Sequence, residues 1–199
     1  LLTPLVKSFA TDMAVDVTSI GVQIHGGMGF VEETGVAQYY RDARILPIYE
    51  GTNGIQAMDL LFRKIMRDEG GGLKAYLKEC EDTINTIDDK TLKNSLNNAL
   101  LAIQESAKYC VDETVKNAEA GAALAVPLLN ALSIFAGGIM MGRSHKKANE
   151  LIKEHQENEE FLKEKTNTAA FYMTHILPKI YGLKETIING AESVLNAKF

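Results

Sequence analysis

Apolar residues recur every three or four positions along most of this chain, which is the spacing of an amphipathic helix. No stretch of the sequence shows the strict apolar–polar alternation that is typical of a half-buried strand. The first helical pattern covers residues 5–24 and stops at Gly26-Gly27, where glycine favours the end of a helix. We therefore expect an all-α fold.

Between the first helix and residue 70 the pattern breaks into short pieces. Residues 32–35 have the composition of a turn, and residues 38–41 fit a short helix. Pro47 interrupts the next segment, because proline has no backbone N–H to donate. Thr52 follows, and its hydroxyl can cap a helix over residues 53–67.

Three consecutive glycines, Gly70-Gly71-Gly72, form the one clear linker in the sequence. Four long helical patterns come after it, over residues 73–88, 92–118, 122–155 and 158–189. The junctions between them are predicted at Asp88, Asp89 and Thr91, at Gly121, and at residues 155–158. Such segments pack naturally as an antiparallel four-helix bundle. We expect two domains, residues 1–69 and residues 73–199.

The composition limits the classes of function. The chain has 199 residues, of which 46% are hydrophobic, so it can bury a sizeable core. Its formal net charge of −5 supplies no basic field for DNA or RNA, and we expect no nucleic-acid partner. Cys80 and Cys110 lack the spacing of a metal or redox motif, and they are typical of reduced thiols in a cytoplasmic protein.

Residues 122–142 carry no charged side chain and are long enough to cross a bilayer. Pro127, Asn130 and Ser133 argue against a membrane span, as does the lack of an aromatic belt. A helix buried on all sides in a soluble bundle explains the same pattern, so we expect no membrane span. The segment also contains three small residues that would let a neighbouring helix approach closely: Gly137, Gly138 and Gly142.

The candidate chemistry lies in residues 23–59. A glycine-rich segment follows the first helix: Gln23, Ile24, His25, Gly26 and Gly27, with Gly29 two positions later. Glu50 and Gly51 then form a glycine turn before the next helix, which begins with three residues whose free N–H groups attract anions: Thr52, Asn53 and Gly54. Each feature alone has a simpler explanation, namely a helix C-cap, an acid favoured by the helix dipole, and an N-cap without a ligand.

Together these features resemble the C-terminal part of flavin-dependent acyl-CoA dehydrogenases. The resemblance rests on Gln-Ile-His-Gly-Gly-Met-Gly-Phe, then Tyr-Tyr-Arg-Asp-Ala-Arg, then Ile-Tyr-Glu-Gly-Thr-Asn-Gly-Ile-Gln. These specific motifs fall within residues 1–68. The four later helices resemble, by order and length, the C-terminal extension of longer bacterial members of the family.

The resemblance implies that Glu50 is the catalytic base. The family removes the α-hydrogen of an acyl-CoA as a proton and the β-hydrogen as a hydride, which passes to the flavin. A carboxylate held away from water is a stronger base, and donors on the thioester oxygen stabilise the developing charge. The Glu50 backbone N–H is implied as such a donor, and Gly51 as a substrate-binding residue past which the acyl group can lie close to the backbone.

The resemblance also implies FAD as the cofactor. Thr52, Asn53 and Gly54 match the segment that contacts the flavin phosphate. The loop from Gln23 to Gly27 matches the one that touches the adenine side of an FAD bound mainly by a neighbouring subunit. The implied partners are therefore an acyl-CoA substrate, further copies of the chain in a homo-oligomer (dimer or tetramer), and an electron-transfer acceptor protein. For His25 we expect a packing or hydrogen-bonding role rather than catalysis.

In this family, the regions that hold most of the flavin and acyl-CoA site come before the residues matched here. The chain also lacks an initiator Met and begins within a helical pattern, so we expect a fragment that is inactive alone. The alternative is a non-catalytic helical assembly or regulatory module of the same superfamily. A DNA-associated member is a third possibility, which the acidic net charge disfavours.

The remaining charged and metal-binding residue types predict structure rather than chemistry. Arg41, Asp42 and Arg44 have the composition of an ion-pair cluster that fixes a turn or a subunit contact. His145, His155 and His175 lack ligand spacing to one another or to cysteine, and we expect no metal site.

Overall fold

The computed structural model describes residues 1–154 and 158–198. The first part of the chain contains α1 (Leu2–Ile24), α2 (Gly27–Phe30), a 3₁₀ turn (Glu32–Thr34), α3 (Val36–Ala43) and α4 (Asn53–Met58), which continues as a π-helix (Asp59–Met66). The second part contains α5 (Gly71–Asn85), α6 (Lys90–Lys116), α7 (Ala118–Lys153), α8 (Glu159–Phe171), a second π-helix (Tyr172–Ile176), α9 (Lys179–Asn189) and α10 (Ala191–Leu195). No strand occurs in the described residues, and the predicted all-α fold class is confirmed.

The three glycines do not form an extended linker. Gly70 takes a left-handed conformation with φ 74°, but Gly71 and Gly72 already belong to α5. The Asp68 carboxylate accepts a hydrogen bond from the Gly72 N–H at 2.5 Å, so it caps the first turn of α5. The predicted linker was wrong because glycines can begin a helix where a nearby acid satisfies the free N–H groups.

The junction predicted at Gly121 was also wrong, because Gly121 lies inside α7. The break between α6 and α7 is at Asn117, whose Oδ1 accepts a hydrogen bond from the Glu119 N–H at 2.9 Å. A Cβ on Gly121 would overlap the Thr114 hydroxyl, so glycine here permits the tight packing of α7 on the end of α6. The junction predicted near Asp89 is close to the observed one, since Asp89 caps α6.

Two predicted helices change their winding part-way. The helix predicted over residues 53–67 becomes a π-helix at Asp59, and the one over residues 158–189 is divided by the second π-helix and by Pro178 before α9. Apolar periodicity does not distinguish these states, because a short π-helix shifts the pattern only locally. The junction predicted at residues 155–158 lies outside the described residues except for Asn158, which has φ 68°.

α7 forms the centre of the core. It packs against α6, α8 and α9, and also against α1 and α4. Its largest fully buried side chains are Leu124, Leu128, Leu129, Leu132 and Phe135. Residues before and after the glycine run contribute to this one apolar cluster, as Leu60 and Ile103 do. The division into residues 1–69 and 73–199 stays a prediction.

The glycines of α7 serve close packing, as the sequence indicates. A Cβ on Gly137 would overlap the Tyr172 hydroxyl, which donates a hydrogen bond to the Ile134 carbonyl at 2.9 Å. A Cβ on Gly138 would lie 2.8 Å from Leu177, and one on Gly142 would lie 2.8 Å from the Ile87 side chain. The second π-helix, Leu177 after it and Ile87 between α5 and α6 can therefore approach α7 at a distance that larger side chains would prevent.

α7 is also the one described helix that is long and apolar enough to cross a membrane. However, 56% of its most apolar window is buried within the protein. Val126 and Met140 remain exposed, so the expected burial on all sides was wrong. α7 is a partly buried core helix.

Candidate functional site

Glu50 and Gly51 form a left-handed turn just before α4. Their φ angles are 54° and 84°, respectively. Glycine adopts such angles without steric cost, whereas a residue with a Cβ rarely does. A Cβ on Gly51 would also lie 3.0 Å from Gln56 Nε2. Glycine is therefore suited to this position, while the conformation of Glu50 must be imposed by its surroundings.

Hydrogen bonds close this turn from both sides. The Asn53 N–H donates to the Pro47 carbonyl across the turn at 3.0 Å. The Thr52 hydroxyl accepts from the Ile55 N–H at 3.3 Å, which confirms the predicted N-cap of α4. Gln56 Nε2 lies within 3.5 Å of the Glu50 carbonyl oxygen and 3.4 Å of the Gly51 carbonyl oxygen, as a long donor to both.

Glu50 is exposed to solvent in this chain, and its immediate neighbours are apolar. Ile48 and Tyr49 are each 47% exposed, and Ile55 is 59% exposed. We call Ile48, Tyr49, Glu50 and Ile55 the Glu50 surface. Large exposed apolar side chains on both sides of Glu50 in the sequence are expected of a region that contacts another molecule or another part of a protein. The chain alone therefore does not provide the shielded environment expected of the base.

The Asn53 side chain contacts α1. Its Oδ1 accepts a hydrogen bond from Lys7 Nζ at 2.8 Å, and its Nδ2 donates to Asp12 Oδ1 at 2.7 Å and to Thr11 Oγ1 at 3.0 Å. The Ser8 carbonyl oxygen lies 3.4 Å from the same nitrogen. Both ends of the amide are thus occupied within the protein, so a phosphate at this helix start would meet backbone N–H groups.

The glycine-rich segment lies at the far end of α1. Gln23, Ile24, His25, Gly26 and Gly27 are all exposed. No atom lies within 4 Å of where a Cβ on Gly26 or Gly27 would be, so this backbone is open to approach from solvent. His25 Nδ1 lies 2.9 Å from the Gly21 carbonyl oxygen, at hydrogen-bonding distance.

Gly29 has a different role from the two exposed glycines. It is buried, and a Cβ at this position would overlap the Val22 carbonyl oxygen of α1. Glycine here allows α2 to fold back on α1. The last glycine of the motif is therefore required by the fold itself.

The structure does not bring all the predicted site residues into one pocket. Asn53 contacts α1 at Asp12, whereas the glycine-rich segment begins at the end of α1, near His25. Asp12 and His25 are about 20 Å apart along the axis of α1, at 1.5 Å rise per residue. A single ligand would have to be elongated to touch both.

Sequence reasoning missed the polar face of α1 and did not identify the partner of Arg41. Lys7, Thr11 and Asp12 lie at helical spacing on one face of α1, and this was the available signal. Arg41 pairs with Glu32 at 3.1 Å, and no ion pair joins it to Asp42 within the described residues. These described residues also contain no group of three or more His, Cys, Asp or Glu that could hold a metal.

A cleft of 890 Å³ separates α1 and Pro47 from α7, the second π-helix and α9. Its walls include Phe9, Ile134 and Tyr172, with Arg44 and Lys179 among its charged residues. Sequence reasoning did not predict this cleft, because its walls come from both halves of the chain.

The sequence matches two models of one protein family. Residues 2–65 match the acyl-CoA dehydrogenase C-terminal domain, and residues 76–198 match a region described as acetyl-CoA dehydrogenase C-terminal like. The chain belongs to the acyl-CoA dehydrogenase family. The family predicted from the motifs around Glu50 is thus confirmed, together with the additional C-terminal region of its longer members.

Two curated relatives match nearly the whole chain. The 3-methylmercaptopropionyl-CoA dehydrogenase of Ruegeria pomeroyi is 39% identical over 98% of this chain and 34% of its own length. A butyryl-CoA dehydrogenase of Syntrophomonas wolfei is 31% identical over 90% of this chain and 30% of its own length. The chain therefore spans about a third of the length of these relatives.

A solved structure has the same fold. An acyl-CoA dehydrogenase from Bacillus anthracis, crystallised in complex with FAD, aligns with a TM-score of 0.70 at 22% identity. The alignment covers 96% of this chain and 34% of that protein. At this identity the likeness concerns the fold alone.

Proposed function

We propose that this chain is the C-terminal part of an FAD-dependent acyl-CoA dehydrogenase in which Glu50 is the catalytic base. The observation that carries this proposal is the left-handed Glu50–Gly51 turn at the start of α4, in a chain of this family. Glu50 takes the α-proton of the acyl-CoA, and bound FAD supplies the acceptor for the β-hydride. The product is the corresponding α,β-unsaturated acyl-CoA. Gly51 lets the acyl group lie close to the backbone, and the Glu50 N–H is a donor to the thioester oxygen.

Two backbone surfaces fit contacts to FAD. Gly26 and Gly27 have open space where a side chain would lie, and Gly54 has only the Thr52 hydroxyl near that position, at 3.8 Å. The glycine-rich segment, Gln23 to Gly27, would hold the adenine side of FAD. The segment Thr52, Asn53 and Gly54 would face its phosphates. The N–H groups of Thr52 and Gly54 would be the donors, because the Asn53 N–H already donates to the Pro47 carbonyl.

The resemblance of the glycine-rich segment to a loop that touches an FAD bound mainly by a neighbouring subunit supports a homo-oligomer. The segment lies about 20 Å along α1 from the contacts of Asn53, by the rise of an α-helix. It would serve the FAD of a neighbouring subunit, in a dimer or tetramer. An electron-transfer acceptor protein would reoxidise the flavin, in the cytoplasm and away from membranes and nucleic acids.

The exposure of the Glu50 surface supports the proposal that the chain is inactive alone. A general base works best where water is excluded, and Glu50 and Gly51 are both exposed in this chain. The face of α1 that carries Val17, Ile20 and Ile24 is exposed as well, at 58%, 58% and 77%. Both surfaces would be covered by the remaining flavin-binding and substrate-binding regions and by the acyl-CoA.

The test replaces Glu50 by Gln in a full-length protein that carries this segment. Bleaching of the flavin is followed anaerobically after addition of butyryl-CoA or 3-methylmercaptopropionyl-CoA, the acyl groups in the names of the relatives. Because Gln keeps the size but removes the base, we expect the rate of bleaching to fall by about 10³-fold with folding intact.

The matched control for this test is Glu33→Gln, which changes another exposed acid, in the 3₁₀ turn after α2. This variant should bleach at the wild-type rate. Wild-type bleaching in Glu50→Gln would remove Glu50 from the chemistry and would favour a non-catalytic assembly or regulatory module.

A further inference from the structure

Asn53 lies between a cation and an anion of α1. Lys7 Nζ donates to its Oδ1 at 2.8 Å, and its Nδ2 donates to Asp12 Oδ1 at 2.7 Å. Hydrogen bonds to charged groups are shorter and stronger than those between neutral groups. The amide can satisfy both partners in only one orientation, because its oxygen must face the ammonium and its nitrogen must face the carboxylate. Lys7 and Asp12 therefore fix the direction of the Asn53 side chain.

The same residue closes the turn that contains Glu50. The Asn53 N–H donates to the Pro47 carbonyl at 3.0 Å, so the backbone bond spans Glu50 and Gly51. Glu50 itself has φ 54°, a conformation that persists only where neighbouring contacts maintain it. We propose that Asn53, held by Lys7 and Asp12, is the positioning residue that keeps Glu50 in place relative to α1. This inference rests on the proposed role of Glu50 as the base.

A positioning role differs from a direct contact between the Asn53 side chain and the flavin phosphate. The Asn53 donors are directed at Asp12 and Thr11. A phosphate close enough to replace them would lie beside the Asp12 carboxylate, and the two anions would repel each other. A positioning role therefore predicts that flavin reduction recovers when the amide and the carboxylate are exchanged between positions 53 and 12. A direct contact with the phosphate predicts that it does not recover.

The decisive variants are Asn53→Asp and the double variant Asn53→Asp with Asp12→Asn, in the full-length protein. In the single variant the introduced carboxylate faces Asp12, and a small displacement of the turn should slow flavin reduction by about 100-fold. The dissociation constant of the acyl-CoA should change by no more than about twofold, because binding contacts away from Glu50 are retained. In the double variant the amide introduced at position 12 can donate to the carboxylate introduced at position 53, and Lys7 pairs with that carboxylate. Flavin reduction should therefore recover to within about threefold of the wild-type rate.

A second readout does not depend on catalysis. The thermal unfolding midpoint of this 199-residue chain should fall in Asn53→Asp and rise again in the double variant. Asn189→Ala is the matched control, since among the described residues the Asn189 side chain bonds to Glu185 of the same helix. It should leave the rate of flavin reduction unchanged.

The outcomes separate the inference from the proposed function. Flavin reduction at the wild-type rate in Asn53→Asp would overturn the inference, and so would a slow double variant with a restored unfolding midpoint. If Asn53→Asp does not fold, a double variant that folds and reduces flavin near the wild-type rate supports the inference, and one that does not overturns it. If Glu50→Gln reduces flavin normally, the proposed function fails, whatever the unfolding midpoints show.

Discussion

α7 and the Glu50 turn are stabilised by opposite means. α7 buries Leu128, Leu132 and Phe135 completely, among apolar side chains of α6 and α9. The turn exposes Glu50 and Gly51, and it is held by backbone hydrogen bonds and by the polar contacts of Asn53 with α1. The difference shows that most of the apolar burial lies in α7, whereas the candidate chemistry lies in an exposed turn. A substitution in α7 should therefore cost more stability than one in the turn.

The largest expected effect is on stability, from Phe135→Ala. Phe135 is fully buried in α7, and removing its ring should lower the free energy of unfolding by about 3–5 kcal/mol. Guanidinium denaturation followed by far-UV circular dichroism measures this change. Met140→Ala on the exposed side of the same helix should stay within about 0.5 kcal/mol of wild type. A loss below about 1 kcal/mol for Phe135→Ala would show that α7 is not the centre of the core.

The helices of this fold could be predicted from the sequence because burial repeats with the period of a helix. The positions that escaped prediction depend on a neighbour distant in sequence. Gly121 suggests a helix end, but it is needed because Thr114 lies against it. The second π-helix begins at Tyr172, whose hydroxyl reaches the Ile134 carbonyl past Gly137. Apolar periodicity carries no information about such contacts.

A smaller effect is expected in the turn, from Gly51→Ala. An L-residue at φ 84° is strained, and its Cβ would press on Gln56 Nε2, so unfolding should become easier by about 1–2 kcal/mol. Gly54→Ala is the matched control, because Gly54 lies in α4 and a Cβ there would meet only the Thr52 hydroxyl, at an ordinary contact distance of 3.8 Å. That change should be neutral or should stabilise the chain by up to about 1 kcal/mol. Equal free energies of unfolding for the two variants would contradict this prediction, because they would mean that the turn accepts a Cβ at position 51 without strain.

The candidate site could be predicted only as far as its residues are neighbours in sequence. Glu50, Gly51 and the Thr52 cap lie within three positions, so their order in the chain already indicates a turn before a helix. Lys7 and Asp12 are more than 40 positions away from Asn53 and were missed. The exposure of Glu50 could not be predicted either, because the motif does not show which other surface would cover this side chain.

The smallest effect concerns the core alone and appears only at alkaline pH. Burial raises the pKa of the Cys110 thiol from 9.0 to about 12. The unfolded chain loses this proton above about pH 9 while the folded chain keeps it, so the stability that depends on Cys110 falls as pH rises. Cys110→Ala removes this dependence, and its cost relative to wild type should shrink by about 0.8 kcal/mol between about pH 7 and pH 9.5. Ser106→Ala is the control, because Ser106 is buried in the same helix and its side chain does not titrate in this range. Its effect on the free energy of unfolding should not change with pH. If the stability difference between Cys110→Ala and wild type did not change with pH, water would reach the thiol. The core around Cys110 would then not differ from the Glu50 turn in its exposure to water.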